Sequence, residues 1–148
     1  MGRRERCTVV ALLIAALPLS ACARTSAAES GGEPPATVQH VEGTDQSRVI
    51  LSAEAAERLG IQTSSIREAH GPDGRESVIP YAAVLYDPSG KTWTYTNPEP
   101  LVFVRLPVHV TKIRGDVAFL SSGPPSGTVV VTVGASELLG VEYQVGGE

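Results

Sequence analysis

Apolar and other side chains alternate along the stretch from Leu101 to Ile113, which is the longest regular pattern in the sequence. A two-residue period places successive side chains on opposite faces of an extended chain, so the pattern predicts a β-strand. Pro107 lies inside this stretch and has no N–H group to donate, which indicates a sheet edge or a bulge at that point. One face would carry Val102, Val104, Leu106, Val108 and Val110, and the other Phe103, Arg105, Pro107, His109 and Thr111.

A hairpin is predicted just before this strand, where the sequence IPYAAVLYDPSGKTWTYT occurs. Its arms run over Val78–Tyr86 and Lys91–Thr96. Asp87–Gly90 forms the turn, because Asp, Pro and Gly stand at the first, second and fourth positions, where a β-turn favours them. Trp93 and Tyr95 share one face of the second arm, and we expect this face to pack inward.

The remaining elements have shorter signals. Ser52 can cap the helix AEAAERL at its start, and Gly60 suits the end of that helix. His70–Glu76 has the composition of a loop. Short strands at regular spacing with turns between them predict an all-β fold, a small β-barrel or β-roll with one or two short helices. Further strands are predicted over Arg48–Leu51, Ile61–Arg67, Val117–Ser121 and Thr128–Val133, and helices over Ala53–Leu59 and Ser136–Gly140.

The N-terminus has the organisation of a bacterial export signal. Three arginines among the first six residues precede the apolar run Val9–Leu17, which is shorter than the ~20 residues needed to span a bilayer. Leu19-Ser-Ala-Cys22 then resembles a lipobox, in which the cysteine is acylated and becomes the new N-terminus. We therefore expect a signal peptide over residues 1–21 and a two-chain lipid anchor on Cys22.

This anchor would hold the protein on the extracytoplasmic face of the bacterial cell membrane, on the periplasmic side if the cell has two membranes. An ordinary signal-peptidase site at Ala21-Cys22-Ala23 is the alternative, and it would release a soluble protein.

A linker is predicted after the lipobox. The stretch from Ala23 to Gln46 is rich in Ala, Ser, Gly, Glu, Pro and Thr. It nearly lacks large apolar residues, so it cannot compensate for the entropy lost on ordering. We assign residues 22–46, including His40, to a flexible tether and residues 47–148 to the folded β domain. This domain contains no cysteine, so its stability would rest on its hydrophobic core without disulfides.

Few residues offer reactive chemistry. The net charge of −4 and the lack of a basic cluster disfavour a nucleic-acid partner. His40, His70 and His109 lack the spacing of metal ligands, so neither a metal site nor a cofactor is predicted. The residue types of a serine–histidine–aspartate catalytic triad are present as Ser89, His109 and Asp116, but no nucleophile-elbow motif supports such a triad. The sequence therefore predicts a protein without catalytic activity.

Four segments of the predicted folded region carry a resemblance to a known family: Val49–Thr63, Ile79–Tyr95, Phe103–Val108 and Ser122–Leu138. In the same order, they resemble the membrane-proximal part of periplasmic adaptor proteins. These proteins, also called membrane fusion proteins, serve efflux pumps of the resistance-nodulation-division type. The resemblance covers nearly all of the predicted folded region. It implies a domain that lies next to the membrane and contacts an inner-membrane transporter.

The resemblance is incomplete. A full adaptor continues from its opening strand into a lipoyl-like domain, an α-helical hairpin and a β-barrel domain, whereas here Ser64 leads almost directly to Val78. No heptad repeat is present, so the coiled-coil hairpin that reaches the outer-membrane channel is missing. Pro124 also stands where the family has a leucine. The resemblance thus implies a membrane-proximal domain alone, which cannot bridge two membranes by itself.

Three hypotheses follow. The first is a lipid-anchored, adaptor-like module associated with an efflux transporter, without catalysis. Its partner-binding residues would be Asp87, Ser89 and Lys91 at the hairpin tip and Arg114 and Asp116 in the next turn, because recognition tends to lie on loops. The second is a stand-alone ligand- or metal-binding lipoprotein that uses the same fold. The third is a remnant without a surviving partner.

Overall fold

The computed structural model describes residues 34–43, 46–71 and 74–143. The predicted signal peptide and Cys22 lie outside the described residues. More than half of the described residues are in strands, which confirms the predicted all-β class. The strands are β1 (Ala36–His40), β2 (Ser47–Leu51), β3 (Gln62–Ser65), β4 (Arg67–Gly71), β5 (Gly74–Pro80), β6 (Leu85–Tyr86), β7 (Thr92–Glu99), β8 (Val102–Arg114), β9 (Val117–Ser122) and β10 (Val129–Val133). The helices are α1 (Ala53–Leu59) and α2 (Ala135–Glu142), and a 3₁₀ turn covers Tyr81–Ala83.

The main sheet is antiparallel and curls into a half-barrel. Its seven strands follow the order β3-β10-β7-β8-β9-β5-β4, and β1, β2 and β6 pair beside this path. The two end strands, β3 and β4, are consecutive in the chain and are joined only by Ile66. The Ile66 N–H donates to the carbonyl of Thr128 (2.8 Å), and the Gly127 N–H donates to the carbonyl of Ile66 (2.9 Å). The chain from Gln62 to Gly71 therefore supplies both end strands of the sheet, β3 and β4.

Strand β8 pairs with three other strands. On one side it pairs with β7, from Val104 to Val108 and again at Val102. On the other side it pairs first with β2, as far as Val104, and then with β9, from His109 onward. Pro107 falls in the gap between these two partners, and register shifts follow at His109 and Val110. Pro107 lies opposite Trp93 on β7 but has no partner in β2 or β9 on its other side, which agrees with the edge or bulge that its position in the pattern predicted.

Two hydrophobic clusters use opposite faces of the central strands. Val130 and Val131 are adjacent on β10, and each is fully buried in a different cluster. Tyr95 on β7 is also fully buried, as predicted, but Thr94 and Thr96 on the other face are buried as well. The first cluster comprises Val49, Leu51, Ala55, Tyr95, Phe103, Val131, Ala135 and Leu138. The second comprises Ile66, Ile79, Ala83, Val84, Val108, Ala118, Leu120 and Val130.

Helix α1 matches the predicted bounds and caps. The Ser52 hydroxyl accepts a hydrogen bond from the Ala55 N–H (3.1 Å), and Gly60 ends the helix with φ 61°. Ala55 is buried in the first cluster, and the half-buried Leu59 packs against it. Helix α2 is longer than the single turn that was predicted, because it begins at Ala135 and continues to Glu142.

The predicted tether over residues 22–46 is wrong for Ala36–His40. These residues form β1, which pairs antiparallel with β2, with Val38 opposite Val49. His40 is therefore an exposed strand residue. Ala36 packs against the first cluster, and this contact together with the backbone ladder orders a segment of low hydrophobicity.

The predicted loop over His70–Glu76 is also wrong. Arg67–Gly71 and Gly74–Pro80 form a hairpin whose register runs from Arg67 opposite Val78 to Gly71 opposite Gly74. Backbone pairing holds these strands, whose side chains are largely exposed near the tip. The first arm of the predicted hairpin, Val78–Tyr86, is broken at the 3₁₀ turn, and only Leu85–Tyr86 pairs with β7.

Thr94 offers a test of the burial on β7. Its side chain is fully buried, and its hydroxyl has no hydrogen-bond partner among the described residues. We expect Thr94→Val to raise the free energy of unfolding by about 1 kcal/mol, since it removes a buried hydroxyl at nearly constant shape. Urea denaturation measures this change.

Thr96→Val is the matched control. The Thr96 hydroxyl donates to the carbonyl of Val104 (3.0 Å), so this replacement should lower the free energy of unfolding by about 1 kcal/mol. Equal effects of the two replacements would contradict the assigned hydrogen bonds.

Candidate functional site

An open groove lies beside β8, where this strand separates from β7 and continues toward β9. Its volume is about 1140 Å³. Pairing between β7 and β8 stops at Thr92 and Val108, and the continuing part of β8 forms one wall. We name this concavity the β8 groove. It is lined by Tyr86, residues 90–93, residues 106–113 and residues 122–124.

The β8 groove carries positive charge on a largely apolar surface. Lys91, His109 and Lys112 line it, and no aspartate or glutamate does. The ammonium of Lys112 pairs with the carboxylate of Glu76 (3.1 Å) and lies 4.2 Å from the centre of the Phe119 ring. The exposed Lys91 side chain has no hydrogen bond or ion pair with any described residue. Of the two lysines that line this groove, Lys112 has an ion-pair partner and Lys91 has none among the described residues.

The hairpin tip uses two of its three predicted partner-binding residues internally. One carboxylate oxygen of Asp87 accepts from the Ser89 N–H (2.8 Å), the Ser89 hydroxyl (2.7 Å) and the Lys91 N–H (2.9 Å). The other accepts from the indole N–H of Trp93 (3.1 Å). The hydrogen bond from the Ser89 hydroxyl, assisted by those from Trp93 and the backbone, lowers the pKa of Asp87 to about 2. Asp87 and Ser89 thus shape the tip, and Lys91 remains available to a partner.

In the second predicted surface, Arg114 is the exposed last residue of β8, and Asp116 lies in the exposed turn that leads to β9. The Asp116 carbonyl accepts a hydrogen bond from the Tyr81 N–H (2.7 Å). Neither residue lines the β8 groove, but Ile113, directly before Arg114, does. Because Lys91 and Ile113 line the same concavity, the two predicted loops lie at the margins of one groove.

A buried ionic cluster next to the hairpin was not predicted. The Arg105 guanidinium donates to both carboxylate oxygens of Glu142 (2.9 and 3.0 Å), and the Tyr95 hydroxyl donates to the same carboxylate (2.5 Å). The side chains of Arg105 and Glu142 are only 12% and 6% exposed. Burial, followed by the hydrogen bond to Glu142, raises the pKa of Tyr95. This cluster fastens the end of α2 to β7 and β8.

The same arginine also connects the cluster to the hairpin tip. Its guanidinium carbon lies 4.4 Å from the centre of the Trp93 ring and 5.5 Å from that of Tyr143, both within cation–π range. Trp93 in turn donates to Asp87. The contacts Asp87–Trp93–Arg105–Glu142 therefore link the tip to α2. One weak signal of this cluster is present in the sequence, because Arg105 interrupts the apolar run from Val102 to Val108, but its partner lies 37 positions away.

Metal and nucleophile chemistry find little support in the described ranges. Within residues 34–43, 46–71 and 74–143, no group of three or more His, Cys, Asp or Glu side chains could hold a metal ion. The Ser89 hydroxyl, which would be the nucleophile of the serine–histidine–aspartate triad considered from the sequence, donates to Asp87 and not to His109. None of the helices in this part of the chain is both long and apolar enough to cross a membrane.

Comparisons with known proteins returned no match. No protein-family model, no curated protein and no solved structure matches the chain at a significant level. The resemblance to membrane-proximal adaptor domains therefore stays a prediction.

Burial of the Arg105–Glu142 ion pair leads to a prediction about the free energy of unfolding. Arg105→Met should lower the free energy of unfolding by about 3–5 kcal/mol, because it leaves a buried carboxylate without its partner. Adding Glu142→Leu should recover part of that loss, since the unpaired charge is removed although the buried Tyr95 hydroxyl loses its acceptor. Urea denaturation of the single and double variants measures both effects. A double variant no more stable than Arg105→Met would contradict the assignment of a buried ion pair between Arg105 and Glu142.

Arg58→Met is the control, because Arg58 forms an exposed ion pair with Glu54. This replacement should change the free energy of unfolding by less than about 1 kcal/mol.

The hydrogen bonds of Asp87 lead to a prediction about how the stability of the hairpin tip depends on pH. The pKa of Asp87 is lowered from 3.8 to about 2, so the ionised carboxylate stabilises the tip above pH 3.8, and this contribution is lost as pH falls through about 2. Ser89→Ala removes the main cause and should shift the pKa of Asp87 upward, toward 3.8. The carboxyl carbon resonance of Asp87, followed by NMR between pH 5 and pH 1.5, reports the shift. An unchanged midpoint would show that Ser89 does not control this carboxylate.

Proposed function

We propose that this protein is a lipid-anchored, extracytoplasmic binding module that docks on a membrane efflux transporter and carries out no catalysis. The observation that supports this most is the β8 groove, because it is lined by Lys91 of the hairpin tip and by Ile113, which lies directly before the second predicted loop. Concave sites with exposed apolar side chains and a few polar groups are the usual form of recognition surfaces.

The groove presents features suited to a protein partner. Tyr86 and Ile113 are 50% and 42% exposed at its walls, so they offer apolar surface that a partner could cover. The Asp87 hydrogen bonds fix the tip next to the groove, so little conformational entropy would be lost there on binding. Lys91 supplies a charge without an internal partner.

The predicted anchor would keep the groove near the membrane. Residues 23–35 separate Cys22 from β1, and a chain of this length spans at most about 50 Å. A domain held within this distance of the bilayer could reach the extracytoplasmic surface of a transporter. It would do so without the helical hairpin that full adaptors use to contact an outer-membrane channel.

A second candidate function is a stand-alone ligand-binding lipoprotein. The size of the β8 groove favours it, because 1140 Å³ is large enough for a small molecule, slightly above the roughly 300–1,000 Å³ typical of such sites.

Mild cross-linking in native membranes tests the proposal. The tagged protein is purified after cross-linking, and its partners are identified by mass spectrometry. We expect a multi-span transporter with the wild-type chain, a loss of that partner with Cys22→Ser, and a weaker yield with Lys91→Glu. Arg67→Glu, on β4 and outside the groove, is the matched charge-reversal control and should leave the yield unchanged.

Two results would contradict the proposal. A protein that carries lipid but is recovered without a transporter would exclude docking. Equal losses with Lys91→Glu and Arg67→Glu would exclude the β8 groove as the docking surface. The intact mass of the exported protein tests the anchor separately, because acylation of Cys22 adds the mass of the lipid and Cys22→Ser abolishes it.

A further inference from the structure

The β8 groove is elongated along one strand. Residues 106–113 of β8 all line it, and eight strand residues extend over roughly 25 Å. An occupant that matches this shape is long and narrow. The hairpin tip contributes Gly90 and Lys91 to the lining, and these residues come directly before Thr92, which pairs with Val108 of β8.

Apolar groups dominate the length of the groove. Leu106 and Val110 are half-buried, and Val108 is buried with its edge on the groove. Trp93 is half-buried, and Ile113 is 42% exposed. An aliphatic chain laid along these side chains would remove apolar surface from water, at roughly 25 cal/mol per Å² covered.

Charge is concentrated at one place in the groove. Glu76 compensates Lys112, whereas Lys91 has no ionic partner among the described residues. No carboxylate lines the groove, although the whole chain has a net charge of −4. This arrangement suits an occupant with a single negative head and an uncharged body.

A peptide strand added to β8 fits less well. Register shifts between His109, Val110 and Lys112 interrupt the regular ladder of this part of β8, and such bulges with an adjacent lysine are devices that prevent strand addition. An acyl chain needs no backbone hydrogen bonds, so the irregular edge does not hinder it.

We propose that the β8 groove binds a single-chain anionic amphiphile, with its carboxylate or phosphate head at Lys91 and its aliphatic chain along β8. Fatty acids and lysophospholipids with an acidic head share this chemistry. The inference goes beyond docking on a transporter and holds whether or not a transporter is the partner.

Trp93 provides the readout, because it lines the groove and is the single tryptophan of the chain. The protein used is the chain from residue 22 with Cys22→Ser. This chain keeps every described residue and both hydrophobic clusters, which lie within residues 49–138. The probes are dodecanoate, dodecyl phosphate and dodecyltrimethylammonium, each kept below its micelle-forming concentration, and native mass spectrometry gives the stoichiometry.

We expect a saturable change in Trp93 emission and one bound molecule with dodecanoate or dodecyl phosphate. The tighter of the two identifies the head group. The cationic amphiphile should bind at least about tenfold more weakly, and Lys91→Glu should weaken the anionic probes by a similar factor. Arg67→Glu, the control outside the groove, should leave their affinity unchanged, and circular dichroism confirms that each variant is folded.

Three results would overturn the proposal. The first is the lack of a saturable change with either anionic probe. The second is equal affinity for the anionic and cationic amphiphiles, and the third is an equal effect of Lys91→Glu and Arg67→Glu. Co-purification with a transporter is measured independently, so failure of either idea can be told from failure of the other.

Discussion

The pairing of β8 with three other strands is the constraint on which the rest of the structure depends. Its first half lies between β2 and β7, and its second half leaves β7 to pair with β9. Phe103 and Val108 belong to different hydrophobic clusters, so a single strand contributes to both. The separation from β7 opens the groove, and Pro107 lies in the gap where neither β2 nor β9 requires an N–H donor. The change of pairing partners along β8 therefore accounts for the curl of the sheet, the two hydrophobic clusters and the groove.

Fixed polar contacts hold the edges of this groove. Asp87 organises the hairpin tip and accepts from Trp93, Trp93 stacks on Arg105, and Arg105 pairs with Glu142 on α2. A buried ion pair contributes little net stability, because desolvation of both charges offsets their attraction. Its effect here is on geometry, since it joins the last helix, the central strands and the tip. A surface preorganised in this way binds with a smaller entropic cost, which favours a role in recognition.

The sequence predicted those elements whose signals are local. The alternation over residues 102–110 identified β8, Ser52 and Gly60 bounded α1, and Asp87–Gly90 marked the tip. β1 was missed because its alternation covers only Ala36–Gln39 within a segment of low hydrophobicity. The tip of the β4–β5 hairpin was missed because its side chains are mostly exposed. Burial of both faces of β7 and the Arg105–Glu142 contact depend on segments far apart in the chain. Of the five predicted partner-binding residues, Lys91 lines the groove, whereas the concavity itself comes from tertiary placement that no local pattern encodes.

The central claim is that the β8 groove is the recognition surface of a membrane-anchored protein. Site-specific photocross-linking in living cells tests it most directly, with p-benzoylphenylalanine placed at the exposed groove residue His109 in one full-length chain and at Arg67 in another. We predict that irradiation joins the position-109 chain to a membrane transporter or to an acyl lipid and leaves the position-67 chain unmodified. The same products from both positions, or none from position 109, would contradict the account.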